Sequence, residues 1–283
     1  MQIKDSSNTY CIIGDPIQHS LSPAMQNAAF KAAGLNSSYL AFRVKKGELG
    51  DSIGSLRATG VSGFNITVPH KVEAMKYLDE FDSSASKADA VNTVHNVSSI
   101  LKAYNTDIYG FIHPLHLRNV KFKGIKVLLI GAGGAARAIL AALEDERGIS
   151  EVNIANRTQG KARDLLEMSR TRQLNCNMIT WDEISKYSRK AELIVNATTI
   201  GMGNEPGLLD YQDINKDAIV YDIVYRPVNT EFLENAKYAG ADVVYGYEML
   251  LYQGAKSFEI WTGIPAPIYA MKKALLGTIG EPS

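Results

Sequence analysis

Lys71 closes the segment Gly63 to Lys71, GFNITVPHK, where His70 to Leu78 reads as a helix. Left in water it would be an ordinary surface lysine. In the first turn of a helix it opposes the dipole at a cost of about 0.3–1 kcal/mol, and that field favours release of its proton, which suits a general acid or base. Asn65 and Thr67 lie two residues apart just ahead of it, on one face of a strand. Asp107 opens a helix in the cluster Asn105-Thr106-Asp107, where an aspartate is by itself a cap. Ser22-Pro23 reads as an N-cap followed by a first-turn proline. Ser20, Ser22 and the adjacent amides at that helix start would also suit a carboxylate ligand.

A second chemistry is carried by KGIKVLLIGAGGAAR, residues 123–137. An apolar run, Ile125 to Ile130, is followed at once by Gly131, Ala132, Gly133, Gly134 and Ala135, then by a helix to Leu143. Gly131 permits the tight turn, Gly133 lets the backbone approach a pyrophosphate, and Ala136 keeps helix and strand close. Amides at the helix start then hold the phosphates. Asn156-Arg157-Thr158 ends the next strand, and Lys161 follows one turn later. An NAD site would carry an acidic residue there; Arg157 with Lys161 suits a 2′-phosphate, so the expected cofactor is NADP. Gly246, Met249 and Gln253 share one helix face, which reads as core or as a ligand-facing stripe. The five histidines show no ligand spacing, so no metal site is expected.

These groups need a scaffold. Short strands are expected at Tyr10 to Ile13, Tyr39 to Val44, Gly63 to Val68, Val91 to Val94 and Leu101 to Tyr104, with helices from Ser22 to Ala33 and Glu48 to Ala58. A Ser/Ala-rich stretch reads as a connection. Beyond it, strands at Val127 to Ile130, Val152 to Ala155, Asn177 to Thr180, Leu193 to Ala197, Ile219 to Ile223 and Asp242 to Tyr245 alternate with helices, the pattern of a parallel doubly wound sheet. The fold class is α/β with two domains: a substrate-binding catalytic domain of residues 1–106 plus 248–283, and an NADP-binding Rossmann domain of residues 107–247, the C-terminal helices returning to the first.

Composition narrows the partners. Lysine plus arginine and aspartate plus glutamate each number 30, so formal net charge is zero and nothing tracks a nucleic-acid backbone. No stretch approaches a membrane span, and the N-terminus lacks the apolar core of a signal peptide, so a cytoplasmic protein is expected. Cys11 and Cys176 are far apart without metal spacing, and Cys11, in an apolar run, reads as a buried reduced thiol.

The motifs GDPIQHSLSP, GFNITVPHK, AVNT, YNTDIYG, GAGGAARA, ANRT, NATTIGM, DIVYRPVNT and GYEMLLYQGAKSFEIWTG follow one another from about Ile12 to about Gly263. In that order they resemble the shikimate dehydrogenases, the NADP-dependent AroE type. The resemblance implies reversible NADPH-dependent reduction of 3-dehydroshikimate to shikimate, in aromatic amino-acid biosynthesis, by a monomer or homodimer acting on small molecules. It implies that Lys71 and Asp107 are the catalytic pair. Ser20, Ser22 and Tyr225 would take the substrate carboxylate, and Asn65, Thr67, Asn92 and Gln253 the ring hydroxyls. Gly131 to Ala135 would hold the pyrophosphate, and Asn156, Arg157, Thr158 and Lys161 the ribose phosphate. Thr198, Met202, Ile223, Gly246 and Met249 would line the nicotinamide side. Gln26 departs from the family's usual histidine and Thr199 from its usual proline. An NAD-using quinate/shikimate dehydrogenase is the alternative enzyme, against which Thr158 argues; a non-catalytic NADP-binding protein is the alternative of another class, against which the presence of Lys71 and Asp107 argues.

Overall fold

The computed structural model describes residues 8–170, 174–202 and 207–280. The chain divides into two compact units, one running to Gly110 and resuming over Leu251–Thr278, the other spanning Phe111–Leu250 with the residues from Ile279.

The first unit is built on the strands β1 (Asn8–Gly14), β2 (Ser37–Arg43), β3 (Gly63–Ile66), β4 (Glu80–Phe81), β5 (Thr93–Val97) and β6 (Ile100–Tyr104), ordered β2-β1-β3-β5-β6-β4. β1 pairs parallel with β2 and β3, while β3–β5 and β5–β6 are antiparallel. Its helices are α1 (Ser22–Ala32), α2 (Leu49–Ala58), α3 (Ser83–Ala88), the opening of α4 (Asp107–Leu117), and later the body of α9 (Gly246–Thr262) and α10 (Ile268–Ile279). Tyr10 to Ile13 are buried on both faces of the sheet, as a covered central strand requires. Cys11 and Ile13 point into a cluster with Leu49 and Ile53 of α2 and Ala85 of α3. Tyr10 points the other way and stacks on Phe30 of α1 and Trp261 of α9. Burial pushes the Cys11 thiol up to about 12, and both cysteines are free.

Four local readings are corrected here. Ser22 is the first residue of α1, not its cap; Leu21 holds the cap position without a side-chain bond, and the Ser22 amide donates to Ser20 Oγ at 3.3 Å. The third strand stops at Ile66 rather than Val68, although the Thr67 amide still donates to Ile13 O. Instead of a helix from His70 to Leu78 there is a short 3-10 turn, Glu73–Tyr77, and Lys71 precedes it. The argument from a helix dipole therefore does not apply to Lys71. Finally, the Ser/Ala-rich connection contains α3, whose N-cap Asp82 accepts from the Ser84 amide at 2.9 Å.

The second unit is a parallel sheet of β7 (Lys126–Ile130), β8 (Glu151–Ala155), β9 (Cys176–Ile179), β10 (Leu193–Asn196), β11 (Ile219–Asp222) and β12 (Asp242–Val244), ordered β12-β11-β10-β7-β8-β9. The intervening helices are α5 (Gly134–Asp145), α6 (Gln159–Arg170), α7 (Ile184–Ser188) and α8 (Glu231–Ala239). This is the doubly wound dinucleotide order, and the direction of winding reverses between β7 and β10. At that point Gly131 adopts φ +117°, and a Cβ on it would lie 2.7 Å from Ala197 O. Replacing Gly131 by Ala should therefore cost about 1–3 kcal/mol of stability, read as a lower thermal midpoint; an unchanged midpoint would contradict the geometry.

Candidate active site

Lys71 is delivered by a backbone tied down on both sides. The neighbouring His70 ring meets Val44 O through Nε2 at 2.7 Å, and the Val91 amide donates to Lys71 O at 2.8 Å. The Lys71 ammonium donates to Asp107 Oδ2 at 2.5 Å, with the two side chains 14% and 6% exposed. An ammonium carries three N–H donors, so two remain for other acceptors, such as a substrate oxygen. Asp107 does open α4, but capping is not its carboxylate's task. Asn105 Oδ1 accepts from the Asp107 amide at 3.1 Å, which leaves the carboxylate free to take Lys71 on one oxygen and Asn92 Nδ2, at 2.8 Å, on the other.

From Asn92 a buried polar network spreads through the first unit. Asn92 Oδ1 accepts from the Thr106 amide at 2.7 Å and from the Thr93 hydroxyl at 2.9 Å. Its Nδ2 also reaches Gln253 Oε1 at 3.2 Å. Asn65 Nδ2 donates to Asn92 O at 3.0 Å and to Ser257 Oγ at 3.1 Å, and Ser257 exchanges hydrogen bonds with Thr93 and Thr106. On the far side the Tyr39 hydroxyl donates to Asn65 Oδ1 at 2.6 Å. Burial holds that phenol well above its ordinary range, against a smaller lowering by its hydrogen bond with Ser22, so it stays a neutral donor. Ser22 is thereby joined to Asn65, and Asn65 to the Lys71–Asp107 pair.

The expected residues Lys71, Asp107, Asn65, Asn92, Gln253 and Ser22 are thus brought into one connected set. Thr67 and Ser20 are half-buried beside it, and among the described residues the Thr67 hydroxyl has no hydrogen-bond partner. Tyr39, Thr93, Thr106 and Ser257 were not expected. Ser257 had a signal: Gly246, Met249, Gln253, Ser257 and Trp261 recur every three or four residues along α9. Tyr39 had none: it is the buried side chain of β2, but in SSYLAFR the apolar Leu40 and Phe42, both exposed, stand out as much. Gln26 is completely buried and its Nε2 donates to Gly254 O at 2.8 Å.

In the second unit the small-residue turn fits a dinucleotide. Gly133 caps α5 with extended backbone, and a Cβ on it would meet no atom within 4 Å, so the space over the turn is open to a phosphate. Asn156 Nδ2 donates to Thr158 O at 2.8 Å and closes the loop after β8. Arg157 and Lys161 are exposed, and among the described residues neither pairs with a carboxylate, which leaves both cations for an anion. Gly246 is held tightly: a Cβ there would collide with the carbonyl oxygen of Val224. Met249 is buried, Met202 exposed, and Tyr225 half-buried with its hydroxyl raised by burial against a smaller lowering from Arg226. Tyr225 belongs to this unit, Ser20 and Ser22 to the other.

The loops after β10 and β11 carry a second buried network that sequence reasoning missed. Asp222, fully buried, accepts from Asn196 Nδ2 at 2.9 Å, the Val224 amide at 3.0 Å and the Thr230 hydroxyl at 2.6 Å. Burial pushes its carboxyl up to about 6 despite the lowering effect of those three donors.

Comparison with known proteins agrees with both halves of this description. Residues 12–94 match the shikimate dehydrogenase substrate binding domain, residues 115–202 the shikimate / quinate 5-dehydrogenase family, and residues 246–276 the shikimate 5′-dehydrogenase C-terminal domain. The shikimate dehydrogenase (NADP(+)) of Nitrosopumilus maritimus is 49% identical over 269 residues, covering 95% of this chain and 98% of its own. Among solved structures, a shikimate dehydrogenase in complex with NADP+ superposes with a TM-score of 0.88 at 36% identity, covering 97% of this chain and 96% of that one. The Thermus thermophilus shikimate 5-dehydrogenase in complex with NADP(H) and shikimate gives 0.82 at 34% identity, covering 95% and 98%. With three domain matches in order and a relative of this identity over nearly its whole length, the chain belongs to the shikimate dehydrogenase family.

Proposed function

We propose that this chain catalyses the reversible NADPH-dependent reduction of 3-dehydroshikimate to shikimate. The observation that carries the reading is the Lys71 ammonium, seated on Asp107 in a buried polar network and still holding two N–H donors. A dehydrogenase of this kind needs one charge-stabilising proton donor at a carbonyl and a fixed orientation for a polyhydroxylated ring. The first unit, which holds both Lys71 and Asp107, acts as the substrate domain and the second as the cofactor domain.

Bound NADPH supplies the hydride, which adds to the ketone carbon. Lys71 donates a hydrogen bond to the ketone oxygen, stabilises the charge that develops there, and transfers a proton to it, so that the product is a neutral alcohol. Asp107 holds the ammonium in place and balances its charge. In the oxidative direction the same lysine accepts the hydroxyl proton. Ser20, Ser22 and Tyr225 bind the substrate carboxylate, and Asn65, Thr67, Asn92 and Gln253 orient the ring through its hydroxyls. The fixed polarity of the Asn92 and Asn65 amides, each locked by several partners, suits selection of one hydroxyl pattern. Gly131 to Ala135 hold the pyrophosphate; Asn156, Arg157, Thr158 and Lys161 hold the adenosine ribose and its 2′-phosphate; Thr198, Met202, Ile223, Gly246 and Met249 line the nicotinamide side.

Following NADP+ reduction at 340 nm with shikimate, with quinate and with NAD+ as controls, tests the activity directly; no turnover of shikimate would end the proposal. Lys71→Met should lower kcat about a hundredfold or more, with a far smaller change in the KM for shikimate. A near-normal kcat would remove Lys71 from the mechanism. Arg157→Asp removes a charge-assisted phosphate partner worth about 1.5–3 kcal/mol, so kcat/KM with NADP+ should fall about tenfold or more while that with NAD+ changes little. Equal losses with both nucleotides would contradict the assignment of the 2′-phosphate site.

A further inference from the structure

Three segments of the second unit converge on one carboxylate. Asn196 ends β10, Val224 follows β11, and Thr230 caps α8, accepting at its hydroxyl from the Leu233 amide. All three donate to Asp222. Each donor is neutral, and among the described residues no cation pairs with it. A buried carboxylate without a counter-ion is a costly way to hold a fold, since a neutral side chain of the same shape avoids the desolvation. Stability alone is therefore a poor reason for an aspartate here.

What a carboxylate does that an amide does not is accept on both oxygens: Oδ1 takes Asn196 Nδ2 and the Val224 amide while Oδ2 takes the Thr230 hydroxyl, so neither end can turn into a competing donor. With Oδ1 held as an acceptor, Asn196 presents Nδ2 to it, and that fixes the other end of the Asn196 amide. Asn196 Oδ1 then accepts from the Thr198 amide at 3.0 Å and from the Thr198 hydroxyl at 2.7 Å, while Nδ2 also reaches Ile200 O at 3.0 Å. With its proton committed to Asn196, the Thr198 hydroxyl accepts from the Ile200 amide at 3.1 Å. The loop from Asn196 to Ile200 is thus wound around one polarised amide. Across from it, the Val224 amide is pinned directly after Ile223. At pH 8 a carboxyl group raised to about 6 is ionised, so the accept-only argument holds under ordinary assay conditions.

We propose that Asp222 is a positioning residue for the nicotinamide end of the cofactor, setting Thr198 through Asn196 on one side and Ile223 through the Val224 amide on the other. This rests on the assignment of Thr198 and Ile223 to the nicotinamide side. Asp222 itself need touch neither cofactor nor substrate; it fixes the polarity and spacing of the two loops that do.

The test compares two ligands that differ at the end in question. NADP+ carries the nicotinamide, whereas adenosine 2′,5′-bisphosphate carries only the adenosine and its phosphates. Calorimetric titration of the full chain at pH 8 should give, for Asp222→Asn, an NADP+ Kd raised about tenfold, the scale of one lost hydrogen bond, with the Kd for the bisphosphate within about twofold of the parent. A purely structural role would weaken both ligands alike, and that outcome overturns the proposal. So does an unchanged NADP+ Kd. Thr230→Val, isosteric and lacking one donor to the same carboxylate, should show the same selective loss in smaller measure, and decides the matter if Asp222→Asn fails to fold. Ile223→Ala separates the two levels of argument. If it weakens NADP+ while Asp222→Asn does not, the nicotinamide side is correctly assigned and only the positioning role falls. If Ile223→Ala leaves NADP+ binding unchanged, the assignment falls and the proposal with it.

Discussion

Contact between the Lys71 ammonium and the Asp107 carboxylate is the constraint from which the first unit is best understood. A largely buried ion pair is tolerated only when its remaining lone pairs and protons are satisfied, and removing one member costs about 3–5 kcal/mol. Asp107 has four lone-pair directions and Lys71 fills one; Asn92 fills another. That commits the Asn92 amide, whose oxygen must then find donors in the Thr106 amide and in the hydroxyls of Thr93 and Thr106. Those hydroxyls in turn need Ser257 and, through it, Asn65 and Tyr39. Each step follows from the one before because a buried polar group without a partner costs more than a paired one returns. The result is a preorganised set of directed donors and acceptors, which is what selective recognition of ring hydroxyls requires.

The second unit solves a different problem by backbone geometry. Phosphates are best met by amides and open space, so the turn after β7 uses residues without bulk: Gly131 in a conformation closed to other residues, and Gly133 facing a void. Charge enters afterwards, on the exposed Arg157 and Lys161. Among the described residues the one buried charge there, Asp222, lies not at the turn after β7 but between the loops after β10 and β11. On the proposed assignment of the cofactor, charge sits where the nicotinamide must be oriented, and glycine where the pyrophosphate must come close.

How much of this could be read from the chain follows from the range of the interactions. GAGGAAR was legible because a strand, a turn and a helix start are local, and their glycines have few other uses. Lys71 and Asp107 stood out in the chain and do meet, but the local reasons given for them are replaced by the structure: no helix dipole acts on the lysine, and the aspartate's side chain is not a cap. Their contact spans 36 residues, and nothing local encodes it. The Asn65–Ser257 bond spans 192 residues, and the hydroxyls of Thr93, Thr106 and Ser257 looked like ordinary small polar residues until burial made each one matter. The helix Ser83–Ala88 escaped because five small residues and one lysine make no amphipathic pattern, although Asp82 ahead of it was the usual capping signal. Asp222 lay inside a motif already singled out, yet only the pairing of β10 with β11 makes it the partner of Asn196.

The central claim is that Lys71 and Asp107 work as one unit rather than as two independent contributors. A double-mutant cycle on kcat measures this most directly, using Lys71→Met, Asp107→Asn and the combination. If the aspartate acts by holding the ammonium, the double variant should lose little more than Lys71→Met alone. If the two losses multiply, each group acts separately, and the pair described here is not the catalytic unit.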